Sequence, residues 1–393
     1  MTNTRDYYCS RKFTEMSVDL EHRTVAACCS ARPERVNFED LSQNGLLNNS
    51  VIKQDRQHML ENIRVKSCEH YCWNIEDHEL PSPRLETQSN VQDYQTAEVT
   101  ELKSLNLIFG SRCTLTCSYC NKGFSRAWAQ DIEKHGNYSI ATASDIYTLN
   151  TKDKIIKNLD QHTLYSGQHF ELLYEQIIKL KHSVGTVYIT GGEPFLYESL
   201  LLQVVATFPQ SVNIVILTGT GVLPTKFSAI LTQLEQFSNV TLGISAENLY
   251  QLYEFNRFGN TFENFVEIYK MVTASKLKYK FYSTLSNLTV FGYLDFVNFV
   301  DAEISENTCN DPEFLRVSML DNNSRLELLE QYDKQNNSKF NSVIKLLNVD
   351  TPVSIVDKNN LSTFLVEFSS RRKLDLNIFP KTFLDWLNIH VVQ

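Results

Sequence analysis

Three cysteines, Cys113, Cys117 and Cys120, follow one another in a C-x3-C-x2-C spacing, short enough for one loop to bring all three thiolates together. Three are an incomplete set for a tetrahedral zinc or a fully ligated four-iron cluster. A four-iron cluster held by only three cysteines keeps one iron open, and an open iron can chelate a small molecule through its amino and carboxylate groups. A zinc completed by a distant fourth residue is the competing chemistry. The stretch Gly191-Gly192-Glu193-Pro194 is a second place of interest, because two residues without side chains let a ligand reach the backbone. A third is the N-terminal group of cysteines: Cys9, the adjacent Cys28 and Cys29, and Cys68 with Cys72 in a C-x3-C pair. Nine cysteines bunched in this way argue for metal rather than for scattered buried thiols.

The elements that position these residues follow from hydrophobic pattern. The apolar run at 105–109 reads as a buried strand, and Gly110-Ser111-Arg112 breaks it, so the cysteines sit on the loop leaving that strand. Residues 187–189 read as a second buried strand that ends in the glycine pair. Further strands are expected at 212–217, Val240–Ser245, 278–284 and 314–319, separated by helical stripes such as Phe170, Leu173, Tyr174, Ile177 and Ile178. Strand-helix alternation of this kind implies a parallel sheet with right-handed crossovers, and ligands then gather at the C-terminal ends of the strands. That rule selects the cysteine loop, Gly191 to Pro194, Thr218 to Gly221, Ser245 to Glu247, Ser283 to Ser286 and Ser318. The stripes themselves are core packing.

The cysteine spacing, with the aromatic Tyr119 just before its last member, resembles the cluster loop of the radical S-adenosylmethionine enzymes, and Gly191-Gly192-Glu193-Pro194 one strand-helix unit later resembles their glycine loop. The resemblance implies an α/β fold, a partial (β/α)6 barrel of TIM type. It implies that Cys113, Cys117 and Cys120 hold a [4Fe-4S] cluster, and that Tyr119, Gly191, Gly192, Glu193 and Pro194 belong to the S-adenosylmethionine site. By the same resemblance Ser245, with Glu247 as a second candidate, would bond the ribose, and Arg257 would pair with the carboxylate of that cofactor.

From the N-terminus to residue 98 the chain reads as a small cysteine-rich unit: a strand at 13–20, its hairpin partner at 24–29, and a helix at 54–63. Such a unit buries little core and would be stabilised by metal. It resembles the twitch and SPASM auxiliary-cluster modules, with Cys9, Cys28 or Cys29, Cys68 and Cys72 in the ligand places and Trp73, Glu76, Ser82 and Arg84 behind them. Those modules usually follow the barrel; this one precedes it. A zinc knuckle of Cys28, Cys68, Cys72 and His70 is the alternative. Residues 85–100 are polar and read as the linker. The barrel is expected over 99–320, with a polar insertion at 131–167 as a lid or a plain solvated loop, and 321–393 as a helical C-terminal extension packing on the barrel. Cys309, alone on a polar loop, reads as a spectator.

The chain is 393 residues long, 42% hydrophobic and 21% charged, with net charge −9. It contains no apolar run of the ~20 residues that span a bilayer and no basic-then-apolar leader, which is the pattern of a cytoplasmic protein. The acidic balance argues against nonspecific nucleic-acid binding and leans towards a peptide or small-molecule substrate. What the resemblance implies is reductive cleavage of S-adenosylmethionine at the [4Fe-4S] cluster to a 5′-deoxyadenosyl radical, a second auxiliary [4Fe-4S] cluster, and a flavodoxin or ferredoxin as electron donor. The two rivals are a radical enzyme acting on a nucleobase or RNA, and a non-catalytic iron-sulfur or zinc protein.

Overall fold

The computed structural model describes residues 6–77, 82–87, 93–141, 167–335, 337–349 and 353–390. The chain divides into two compact units, one of Met1–Gly110, Asn158–Ile216 and Gln233–Thr241, the other of Ser111–Lys157, Leu217–Thr232 and Leu242–Gln393.

The first unit is built on a sheet whose neighbouring strands run Glu34–Arg35, Thr24–Ala26, Glu15–Asp19, Leu102–Ile108, Val184–Thr190 and Asn213–Thr218. The last three are parallel, and their registers place Leu105 beside Val187 and Val187 beside Ile214, with Leu107, Ile189 and Ile216 forming the next row. All six of these side chains are fully buried. A period of two along each strand, kept in register across strands, aims one face of each at a shared core. The helix Gln168–Lys179 buries Phe170, Leu173, Tyr174 and Ile177 of its expected stripe, while Ile178 is half-buried.

At the N-terminus the structure differs from the sequence reading in three ways. The strand is Glu15–Asp19, preceded by a helical turn Arg11–Thr14, and it runs parallel to Leu102–Ile108 with Met16 beside Leu105. The hairpin therefore extends a larger sheet, a long-range pairing that local pattern does not reveal. The helix expected at 54–63 is Ser50–Leu60, because Asn49 accepts from the Ile52 N–H at 3.2 Å and so starts it one turn earlier. The end of the expected linker is packed: Tyr94 stacks on Phe13 at 4.8 Å, and Ala97 and Val99 are buried.

In the second unit Val240–Ser245, Lys278–Leu285 and Ile304–Thr308 are successive sheet neighbours, the last two parallel with Phe281 beside Ile304. The strand expected at 314–319 is thus misplaced. Those residues form two short turns, Glu313–Leu315 and Val317–Met319, whose Phe314, Leu315 and Val317 are buried. The actual strand, Ile-Ser-Glu-Asn-Thr, is an edge strand with little to bury, so it lacks the apolar signature. The C-terminal extension holds four helices among the described residues: Asn322–Asp333, Asn341–Leu347, Ile355–Arg372 and Lys381–Trp386. Phe364 and Phe368 of the third join Trp128 and Tyr138 in an aromatic cluster with ring centroids 5.3–6.4 Å apart. Part of the insertion is the helix Arg126–His135; positions 142–166 lie outside the described residues. No described helix is long and apolar enough to cross a membrane.

Candidate active site

The loop of Cys113, Cys117 and Cys120 belongs to the second unit, and its backbone is fastened at several points. Thr116–Cys117 pairs antiparallel with Arg257–Phe258, Cys117 opposite Arg257. Trp128 donates its indole N–H to the Cys117 carbonyl at 3.0 Å, and the Ser125 hydroxyl donates to the Leu115 carbonyl at 2.5 Å. The Ser118 N–H reaches the Asn256 carbonyl at 2.9 Å, while its hydroxyl donates to Asn256 Oδ1 at 2.6 Å. Thr114 donates to the Gly221 carbonyl at 2.7 Å, and a Cβ on Gly221 would lie 2.8 Å from Leu115. Cys117 is buried, and Cys113 and Cys120 are partly exposed. Burial first, then the neighbouring Cys117 and Cys113, push the Cys120 thiol up, so the three sulfurs sense one another.

Beside them the half-buried Tyr119 joins the buried Glu247 and Arg257 in a triad. Tyr119 donates to Glu247 Oε1 at 2.7 Å, and Arg257 donates from Nη2 to Oε1 at 2.8 Å and from Nε to Oε2 at 2.9 Å. The Thr284 N–H adds a fourth bond to the carboxylate, the third on Oε1, at 3.2 Å. Burial works to lower the Arg257 guanidinium, but the charges of Glu247, Tyr119 and Cys117 outweigh it and hold Arg257 protonated, well above its usual range. Burial pushes the Tyr119 phenol well up. Arg257, expected to face a cofactor carboxylate, is engaged in a fork on Glu247. Ser245, at the end of its strand, makes no hydrogen bond through its side chain with a described residue and is half-buried.

The glycine loop lies in the first unit. Gly191 has φ +85°, and a Cβ there would sit 2.6 Å from Ile108 Cγ2 and 3.1 Å from the Gly110 carbonyl, so only glycine fits. Gly192 also has positive φ, +45°. Glu193 is fully buried and accepts from the Phe195 N–H at 3.2 Å, closing the turn that begins at Pro194.

Of the four N-terminal cysteines expected to act together, three lie in one buried core of the first unit and Cys28 lies in another with Ala26 and Ala31. Cys9, Cys68 and Cys72 share a core with Tyr8, Phe13, Met59, Val65 and Trp73. A hydrogen bond to Cys68, then burial and the charges of Cys68, Cys28 and Cys9, push the Cys72 thiol up. Cys28 is buried and its thiol is pushed up to about 12 by burial; Cys29 is exposed, 3.1 Å from Arg11 Nη2. The Trp73 indole donates to the Val65 carbonyl at 2.7 Å, and Arg84 covers the ring at 4.8 Å while binding Glu76. Sequence reasoning missed Lys12, a fully buried ammonium bonded to Asp55 and Ser67 at 2.6 Å each. The sequence carries only a faint signal for it, a basic pair Arg11-Lys12 two and three residues after Cys9. Cys309 is buried, its thiol 3.7 Å from the Asp311 carbonyl. Among the described residues no group of three or more His, Cys, Asp or Glu side chains has the closeness of an assembled metal-ion site.

No protein-family model matches the chain, and no curated protein does. Solved structures with detectable similarity include native anSMEcpe with bound AdoMet, 15% identical over 53% of this chain and 52% of that one, with a TM-score of 0.34. This chain therefore covers about half of that protein. Streptococcus suis SuiB bound to S-adenosylmethionine is 12% identical over 94% of this chain and 71% of that one, TM-score 0.37. SuiB bound to precursor peptide SuiA is 13% identical over the same shares, 94% and 71%, TM-score 0.34. Scores in this range do not establish a common fold.

Proposed function

We propose that the chain is a radical S-adenosylmethionine enzyme that modifies a peptide or small-molecule substrate. The observation that carries this reading is the fastened loop of Cys113, Cys117 and Cys120, a three-thiol donor set with no carboxylate or imidazole among its three ligands and with Tyr119 anchored beside it. Soft thiolates in threes fit a [4Fe-4S] cluster with one iron left for a ligand. When bound, that cluster supplies the electron that cleaves S-adenosylmethionine to methionine and a 5′-deoxyadenosyl radical, which takes hydrogen from the substrate.

The chain's own residues then bind and orient. Cys113, Cys117 and Cys120 hold the irons, and Trp128 and Ser125 keep their loop from moving. Ser245 offers a hydroxyl with no described partner to the ribose. Gly191 and Gly192 leave bare backbone for the amino group, with Glu193 and Pro194 shaping the turn. Arg257 and Glu247 are positioning residues that act through Tyr119. Cys9, Cys28, Cys68 and Cys72 would hold a second, fully ligated cluster, for which their thiols must ionise. The cytoplasm, which keeps thiols reduced, would be the setting, and a flavodoxin or ferredoxin would serve as electron donor.

The test is anaerobic turnover. With dithionite as reductant, the reconstituted chain should convert S-adenosylmethionine to 5′-deoxyadenosine and methionine, and Cys113→Ala/Cys117→Ala/Cys120→Ala should not. A reconstituted, iron-loaded chain that leaves S-adenosylmethionine intact overturns the reading.

A further inference from the structure

The first unit contains a cavity of about 530 Å³ that none of the chemistry above uses. Its size falls in the range of small-molecule sites, roughly 300–1,000 Å³. Val25, Ala26 and Ile52, all buried, give it an apolar floor. Arg32, His58 and Lys66 also line it, and none of these three side chains pairs with a described residue. Arg32 and Lys66 are exposed and stand at the mouth, with the Arg32 backbone N–H tied to the Ser67 carbonyl at 2.7 Å. Two carboxylates are present. Asp55 is neutralised by Lys12 at 2.6 Å, and Glu34 alone has no described partner.

Unpaired fixed charge in the lining is thus two cations against one carboxylate. A cavity with an apolar floor and a cationic mouth recognises a ligand with the reverse plan, a short hydrocarbon skeleton bearing an anionic head. Like-charged neighbours at the mouth are relieved when such a head arrives, and its hydrogen bonds to Arg and Lys are charge-assisted. We propose that this cavity is a binding site for a small organic anion, carboxylate or phosphate in its head group. It is separate from the cysteine loop in sequence, being formed wholly by residues between Val25 and Ser67. The inference holds whether or not the cysteines carry iron, because every group it uses is an ordinary side chain.

Glutarate, its uncharged isostere glutaramide, and inorganic phosphate are the probes, titrated into the full chain by calorimetry and by thermal shift, since a ligand of the folded state raises the melting temperature. Glutarate should bind saturably and glutaramide should not. Arg32→Gln/Lys66→Gln should weaken binding by roughly tenfold or more, the usual cost of losing charge-assisted bonds. Glu34→Gln should tighten it about two- to fivefold by removing the opposing charge at a solvent-exposed site. Opposite signs from two exposed substitutions separate recognition from misfolding. Saturable phosphate binding with the same variant pattern supports the proposal and assigns the head group to phosphate. No saturable binding of either anion tighter than about 10 mM, or equal affinity in all variants, overturns it.

Discussion

Tyr119 donates its phenol to Glu247 Oε1 at 2.7 Å, and Arg257 forks onto both oxygens of the same carboxylate, so one buried anion ties the residue before Cys120 to the strand opposite Cys117. Two charges out of water are stable only together. Glu247→Gln should therefore cost about 3–5 kcal/mol of unfolding free energy, by stranding the guanidinium, and Tyr119→Phe only about 1 kcal/mol, one hydrogen bond. Glu247→Leu combined with Arg257→Met should be less damaging than Glu247→Leu alone. Urea unfolding of these four variants and of Arg257→Met alone checks this, and strict additivity would refute the coupling.

Gly191 combines φ +85° with a methyl 2.6 Å from where its Cβ would be, whereas Gly136, at φ +86°, has open space around it. Alanine at Gly136 carries only backbone strain, about 1 kcal/mol. Alanine at Gly191 adds a clash with Ile108 and should cost about 2–4 kcal/mol in denaturant midpoints. Equal costs would mean that the turn yields freely.

Arg372 ends its helix among aromatic rings, donating to Thr116 Oγ1 and to the Tyr138 oxygen at 3.0 Å each and pairing with Asp131 at 3.3 Å. Through Thr116 it braces the loop between Cys113 and Cys117. Arg372→Met keeps much of the packing and removes these bonds. It should lower stability by about 2–4 kcal/mol and reduce iron retained at the cysteine loop during dialysis. Full iron retention in the variant would show that the C-terminal extension does not brace the loop.

What the residues make legible is uneven, and the reasons are physical. The strands at 105–109 and 187–189 declare themselves because they bury alternate apolar residues, Leu105, Leu107 and Phe109 in one and Val187 and Ile189 in the other, and the breaks at Gly110 and Gly191 follow from the positive φ that glycine tolerates. The strand Ile304–Thr308 stays hidden because an edge strand has no apolar need, while Phe314 to Met319 mimic a strand by burying turns. The C-x3-C spacing of Cys68 and Cys72 places both thiols in one buried core with Cys9. The Glu247–Arg257 fork is invisible beforehand, since ten residues of separation carry no signal of a side-chain contact. The same holds for the parallel pairing of Glu15–Asp19 with Leu102–Ile108, which joins segments more than eighty residues apart.

His22 Nδ1 lies 2.9 Å from Asp19 Oδ2, and this hydrogen bond raises its pKa above the ordinary 6.5. The folded chain then binds more protons than the unfolded chain near neutrality. The contribution is fully present below the unfolded value of about 6.5 and is lost as pH rises through the higher folded value. His22→Gln should remove that component, so the stability difference between wild type and variant should shrink as pH rises. A difference that stays constant across the window would contradict it.

The most direct measurement is iron and acid-labile sulfide content after anaerobic reconstitution, on the wild type and on Cys113→Ala/Cys117→Ala/Cys120→Ala. Two four-iron clusters predict about eight irons per chain, falling to about four in the variant. About four irons in the wild type that vanish in the variant would keep the cysteine loop as the cluster site and return Cys9, Cys28, Cys68 and Cys72 to structure or to zinc. Zinc without iron in both proteins would contradict the account.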